Sequence, residues 1–223
     1  MSAFPFRTVG FDLDGTLLDT AQDLGAAVNH ALALAGRQPV PAAKFASLVG
    51  GGARLMLRRA LDLTGGSLDA ERFETLFATL LAHYEANIAV TTQPYPGVEA
   101  TLDALAARGV WLAVATNKPE PLARLLFDKL GLSGRFACIL GGDTLGPGRG
   151  KPAPDLLHAL VARCGGGRAA FVGDSSFDIA AARAAGLPCV AVRFGYGDVP
   201  VDELGADAVI GHFDELVPAL ERL

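Results

Sequence analysis

The sequence predicts an α/β protein: a doubly wound parallel sheet with a small all-helical segment inserted after the first strand. Three observations predict it. Beyond Pro94-Tyr95-Pro96-Gly97, helical and strand patterns alternate, as they do when a parallel sheet is wrapped by helices on both faces. The strands are apolar almost throughout, as in Val110-Trp111-Leu112-Ala113-Val114-Ala115, which suits strands buried on both sides. Residues 21–87, by contrast, show helical patterning and almost no strand signal.

The first strand is expected over residues 8–13, bounded by Asp14-Gly15. Ala26, Ala27, His30, Ala31 and Leu34 then recur at helical spacing, with Gly36 as the stop. Leu55, Leu57, Ala60 and Leu61 mark a second helix behind Gly50-Gly51-Gly52. Leu76, Leu80 and Leu81 mark a third, in which Phe73, Phe77 and Tyr84 are spaced like a core stripe, not an aromatic cage. There follow helix 99–108, strand 110–116, helix 121–130, strand 136–140, helix 154–163 and strand 169–172. Helix 177–185, strand 189–192, a short strand 208–210 and a terminal helix from Asp214 complete the pattern. The expected division is a core of residues 1–19 and 92–223 with a helical cap of residues 20–91. Hinges are expected near 18–21 and 91–96.

Composition narrows the function. Hydrophobic residues make up 51% and charged residues 19%, enough apolar material for a buried core. The net charge of −5 argues against a nucleic-acid partner bound through a broad basic surface. It leaves room for an anionic substrate in a locally positive site. Cys138, Cys164 and Cys189 are scattered without a C-x-x-C pair, so neither a disulfide framework nor a zinc site is expected. His30, His83, His158 and His212 lie far apart in sequence and read as structural or surface residues. No signal peptide and no apolar stretch long enough for a bilayer is seen. A cytoplasmic monomer or homodimer without a membrane partner is expected.

In parallel α/β sheets, ligands bind outside the carboxyl ends of the strands. Those ends offer Asp12 and Asp14, then Thr116-Asn117-Lys118, then Gly141-Gly142-Asp143, then Gly173-Asp174, with Lys151 in a following glycine-rich loop. Asp12 and Asp14 are two apart, which places two carboxylates on one side of an extended segment. Asp174 and Asp178 are four apart across a strand-to-helix junction. If the two pairs face each other, their repulsion requires a cation or protons. Oxygen ligands without nearby His or Cys favour magnesium over zinc. Each residue also has a bland reading: Asp14-Gly15 as a turn, Asp178 as a charge at a helix N-terminus, Thr116 as a strand end, Lys151 as a solvated lysine. Phosphoryl transfer uses all of them: a carboxylate nucleophile, a metal, a lysine and a second acid for proton transfer. The loop Gly146-Pro147-Gly148-Arg149-Gly150-Lys151 does not make a nucleotide-binding loop, because Pro152 stands where a Ser or Thr is needed.

Asp12-Leu13-Asp14-Gly15-Thr16-Leu17 resembles the first motif of the haloacid dehalogenase superfamily. Thr116-Asn117, Lys151-Pro152 and Gly173-Asp174-Ser175-Ser176-Phe177-Asp178 resemble its second, third and fourth, in family order. The resemblance implies a Rossmann-like core and a set of roles. Asp12 would be nucleophile and metal ligand. Asp14 would be general acid and base, with its backbone carbonyl on the metal. Thr116 and the Asn117 amide would bind the transferring phosphate, and Lys151 would neutralise it and hold the nucleophile. Asp174 would ligate magnesium and Asp178 would support it. Asp14 favours phosphate chemistry over dehalogenation, because true dehalogenases lack this second acid. Val49-Gly50-Gly51-Gly52-Ala53, Thr116-Asn117-Lys118-Pro119-Glu120, Gly141-Gly142-Asp143 and the run from Lys151 to Asp155 are similar to the phosphoglycolate phosphatase branch, which implies 2-phosphoglycolate as substrate. Arg54, at the entry of a cap helix, is either a charge for the substrate carboxylate or an ordinary surface arginine. Competing readings are a sugar-phosphate phosphatase, a pyrophosphatase, a phosphosugar mutase, an inactive binding protein and a phospho-receiver module.

Overall fold

The computed structural model describes residues 4–223. Strand β1 (Thr8–Phe11) leads through a tight turn into β2 (Leu18–Asp19). Helices α1 (Ala21–Leu34), α2 (Phe45–Leu48), α3 (Ala53–Thr64) and α4 (Ala70–Ala86) follow, and then β3 (Gln93–Pro94). The remainder alternates through α5 (Val98–Ala106), β4 (Trp111–Ala115), α6 (Glu120–Lys129), β5 (Cys138–Leu140) and α7 (Asp155–Arg163). It ends with β6 (Ala169–Gly173), α8 (Ser176–Ala184), β7 (Cys189–Val192), β8 (Ala208–Ile210) and α9 (Leu216–Glu221). Among the described residues, no helix is long and apolar enough to cross a membrane.

The main sheet is parallel throughout, in the order β5-β4-β1-β6-β7-β8. The chain winds outward from β1 through β4 to β5, then returns to β6 on the other side of β1. That reversal opens a crevice at the carboxyl ends of β1, β4 and β6. Register aligns the three ends. Phe11 lies opposite Val114 on one side and Val172 on the other, so Asp12, Thr116 and Asp174 emerge at one rim. Side chains from both faces fill two cores, one around Phe11, Phe127 and Phe213 and one around Leu157, Leu160 and Phe171.

The helical segment packs on its own apolar faces. Phe73, Leu76, Leu80 and Tyr84 recur along α4 at three- and four-residue spacing and are buried, as are Leu24, Val28 and Leu32 on α1. The Asp69 side chain starts α4 by accepting from the Arg72 N–H at 2.9 Å. His30 and His83, far apart in sequence, stack between α1 and α4 with ring centroids 4.1 Å apart. Burial, aided by His30, lowers the His83 pKa, which favours its neutral imidazole.

The two linkers of this segment are tied together. β2 and β3 pair antiparallel, with Leu18 opposite Pro94. The buried Asp23 carboxylate, near the start of α1, accepts from the Thr91 and Thr92 hydroxyls at 2.7 and 2.8 Å and from the amides of Val90, Thr91 and Thr92. These donors hold its pKa below the ordinary carboxylate value against the effect of burial.

Several expected boundaries move. The first strand ends at Phe11, not residue 13, because the Leu13 carbonyl accepts from the amides of Thr16, Leu17 and Leu18 and turns the chain. The β2–β3 ribbon was not expected, since two residues cannot display a periodicity. The terminal helix begins at Leu216, after a short 3-10 turn over Phe213–Glu215.

Candidate active site

Asp12 leaves β1 with its amide bonded to the Val172 carbonyl at 2.9 Å, which fixes the side chain beside β6. Lys151 reaches in from the loop before α7. Its Nζ lies 2.8 Å from Asp12 Oδ1 and 2.5 Å from Asp178 Oδ1. Asp12, Asp174 and Asp178 are all buried and can each place an oxygen within 4.8 Å of the others. Asp178 is saturated: its second oxygen accepts from the amides of Asp174 and Ser175 and from the Ser175 hydroxyl at 2.6 Å. Asp178 thus sits at the start of α8 with its carboxylate turned toward Lys151 and the other two acids. Asp174 is oriented by the Thr16 hydroxyl at 3.1 Å and the Tyr196 amide at 2.7 Å.

Three buried acids face one lysine. Burial pushes the Asp12 pKa up to about 6, with Lys151 opposing and Asp178 adding to the rise. Burial, then Asp178 and Asp12, raise Asp174 well above the carboxylate range. Burial works against the charge of Lys151, but Asp12 and Asp178 outweigh it and hold its pKa above the ordinary lysine value. Asp12 Oδ1 meets Lys151 at an angle that misses a hydrogen bond and has no other protein donor among the described residues. The donor set is oxygen only, carries excess negative charge and leaves oxygens of Asp12 and Asp174 able to accept a cation. It fits a hard divalent ion such as magnesium.

The sign of the linkage follows. A raised carboxylate pKa favours the fold while the group is protonated, below 3.8 for Asp12, and that contribution is lost as pH rises through about 6. A divalent cation bound here would have to displace whatever protons these acids hold. Saturating magnesium is therefore expected to raise the melting temperature by about 5–10 °C near neutral pH. A much smaller rise is expected at about pH 5. Equal gains at both pH values, read by calorimetry, would remove Asp12 and Asp174 from the cation site.

Asp14 is brought into the same cavity but not into the triad. The turn after Phe11 gives it separate partners: Lys118 Nζ at 3.0 Å and the Thr20 hydroxyl at 2.7 Å. Both meet Oδ1, so Oδ2 is the oxygen left for a proton. The expectation of two neighbouring carboxylates acting from one extended face is corrected accordingly. Gly15, at φ +83°, makes the turn, and a Cβ there would collide with Asp174 Oδ2.

Thr116 is buried at the end of β4, where its Oγ1 accepts from the Lys118 amide at 3.2 Å. Its own proton has no acceptor among the described residues. Asn117 lines the cavity, and its side chain donates to the Lys151 carbonyl at 2.8 Å, locking the second and third polar loops together. Asp143 instead caps α6 through the Glu120 amide at 2.7 Å. Arg54 is not brought to the acids. It is half exposed, paired bidentately with Glu74 at 2.6 and 2.8 Å, and stacked over Phe77 in an adjoining surface groove.

Sequence reasoning placed Lys118 at a strand end without giving it a role, and missed Thr20 and Tyr196. Tyr196 joins Asp174 to the linker: its amide holds the Asp174 carboxylate, while its hydroxyl accepts from the Ala21 amide at 2.9 Å and donates to Asp19 at 2.6 Å. The available signals were a lysine at a strand end and a tyrosine flanked by glycines after β7.

One cavity of about 50 Å³ collects Asp12, Asp14, Thr116, Asn117, Lys118, Lys151 and Asp174 under α1, α3 and α4. Known proteins are similar to this chain over most of its length. A family model for haloacid dehalogenase-like hydrolases matches residues 6–186. A phosphoglycolate phosphatase of Agrobacterium fabrum is 46% identical over 94% of this chain and 90% of its own length. One of Mesorhizobium japonicum is 44% identical over 96% and 94%. The crystal structure of a predicted phosphoglycolate phosphatase from Haemophilus somnus superposes with a TM-score of 0.89 at 31% identity, covering 96% of this chain and 97% of that one. With the motifs in order along the chain and gathered at one rim of the sheet, the protein belongs to the haloacid dehalogenase-like hydrolase family.

Proposed function

We propose that the protein is a magnesium-dependent phosphatase that converts 2-phosphoglycolate to glycolate and phosphate through a phosphorylated Asp12. The observation behind this reading is the pairing of Asp12 with Lys151 in one cavity with Asp14, whose Oδ2 is unengaged. The names of the relatives point to the same substrate.

Asp12 and Asp174 side chains, with the Asp14 carbonyl, would hold the magnesium ion. Bound there, it supplies the positive charge that lets an anionic carboxylate approach an anionic phosphate. The chain's own groups do the rest. Thr116 and the Asn117 amide hold phosphate oxygens, and Lys151 balances their growing charge. An Asp12 oxygen attacks phosphorus, and the ester P–O bond breaks as Asp14 passes a proton to the leaving alcohol. Asp14, now a carboxylate, takes a proton from water as that water attacks phosphorus. Phosphate leaves, Asp12 is regenerated and Asp14 is again protonated. Such proton transfer is worth about 100-fold to 10,000-fold.

Residues 20–91 act in this reading as a cap over the rim, swinging about the paired β2 and β3. Closure excludes water while the aspartyl phosphate forms, and opening admits substrate and releases products.

The test is steady-state phosphate release from 2-phosphoglycolate, a hexose phosphate, pyrophosphate and ethyl phosphate, with magnesium and with a chelator. The expected result is a kcat/KM for 2-phosphoglycolate at least about tenfold above the others, lost on chelation. A hexose phosphate turned over faster would redirect the reading to sugar phosphates.

A further inference from the structure

The cavity receives a one-sided contribution from the helical segment. Leu24, Val49, Met56, Leu80 and Leu81 line it with carbon, and Gly50 to Ala53 add backbone. Tyr84 is the one lining residue of that segment with a polar side-chain group. It is only 2% exposed, yet its hydroxyl has no hydrogen-bond partner among the described residues. Leaving a buried hydroxyl unpaired is destabilising, so a helix-core stripe alone does not account for a tyrosine where phenylalanine would pack. Burial pushes its pKa up to about 12, with Lys118 opposing, which keeps the hydroxyl a neutral donor.

The nearest charged group is Lys118. Its Nζ lies 4.6 Å from the centre of the Tyr84 ring, and the hydroxyl approaches the ammonium without meeting hydrogen-bond geometry. Lys118 is 6% exposed. Its ammonium has three N–H donors, and Asp14 is its one ion-pair partner among the described residues. A buried neutral donor and a buried cation with spare donors thus stand beside the proton-transfer acid, in a wall that is otherwise hydrocarbon. A sugar would bring several hydroxyls to that wall and find one side-chain partner. A single anionic group at the end of a short substrate would satisfy both Tyr84 and Lys118.

We infer that Tyr84 and Lys118 form the receptor for a substrate carboxylate, and that Tyr84 sets the preference for a carboxylate-bearing phosphate ester. The inference rests on the phosphatase reading above and assigns its substrate's far end. It also gives the cap a reason to close: α4 delivers Tyr84 to the carboxylate only when the helical segment lies against the rim. Arg54, engaged with Glu74 outside the cavity, has no part in it.

The test compares 2-phosphoglycolate with ethyl phosphate, which keeps the two carbons and lacks the carboxylate, on wild type and Tyr84→Phe. The ratio of the two kcat/KM values is expected to fall by about tenfold to a hundredfold in the variant, the range for a hydrogen bond to a charged group. The variant should melt about 2–4 °C higher, because an unpaired buried hydroxyl has gone. A helix-core role alone would leave the ratio of the two substrates unchanged. Inhibition gives a second readout: the glycolate inhibition constant should rise with the variant, and that of inorganic phosphate should not. An unchanged ratio or an unchanged glycolate constant overturns the receptor. A wild type that shows no preference for 2-phosphoglycolate over ethyl phosphate overturns the substrate reading itself, so the two failures are told apart.

Discussion

Asp12→Asn is expected to lower turnover by at least about 10,000-fold while the protein stays folded. The amide has nearly the shape of the carboxylate and lacks its anionic nucleophile, so no aspartyl phosphate can form. The fold should tolerate it, because burial already disfavours the charge of Asp12. Lys151 would keep Asp178 as its 2.5 Å partner. Rapid-quench detection of an acid-stable phosphoprotein in the wild type, absent from the variant, checks the chemistry, and circular dichroism checks the fold. Near-normal turnover by the variant would move the nucleophile elsewhere.

Lys151→Met should damage both stability and activity. The methionine keeps the apolar stem over the Phe171 ring, whose centre lies 5.3 Å from the lysine Nζ, and removes only the charge. Asp178, fully buried, would lose its cation, and Asp12 would lose the group that most lowers its pKa. Removing one partner of a buried pair costs about 3–5 kcal/mol. The lower end applies here, because Asp178 keeps its amide and hydroxyl donors from residues 174 and 175. A fall of about 6–12 °C in melting temperature is expected, shrinking at acid pH as Asp12 takes up a proton. Turnover should drop by about 100-fold to 1,000-fold, as for loss of one preorganised donor to a transferring group. A variant that melts like wild type would mean that the lysine charge does not hold the acids together.

How much was legible depended on the range of the signal. Asp12, Thr116 and Asp174 could be read because each follows an apolar strand, and a parallel sheet sends the ends of all its strands to one edge. Lys151 could be read from its glycine-rich loop and Asp178 from its spacing to Asp174, and motif order supplied the roles expected of both. The pairing of Lys118 with Asp14 could not be read, because the turn at Leu13 re-aims Asp14 after the strand has ended. Arg54 was open between a substrate ligand and an ordinary surface arginine, because its place beside a glycine-rich loop fits either; the pairing with a glutamate twenty residues on is what local sequence could not show.

By itself the sequence determined the alternating α/β core, the helical segment after the first strand and the identity of the acids at the rim. Those depend on periodicity and chain order, which are local properties. Tertiary structure alone decided which charges meet. Asp12 faces Lys151 and Asp178, Asp14 faces Lys118, Tyr196 ties Asp174 to the linker, and Tyr84 turns from a core stripe into the wall of the cavity. Each of these contacts joins segments far apart in the chain. Its geometry is set by helix packing and strand register, quantities that no single stretch of residues contains.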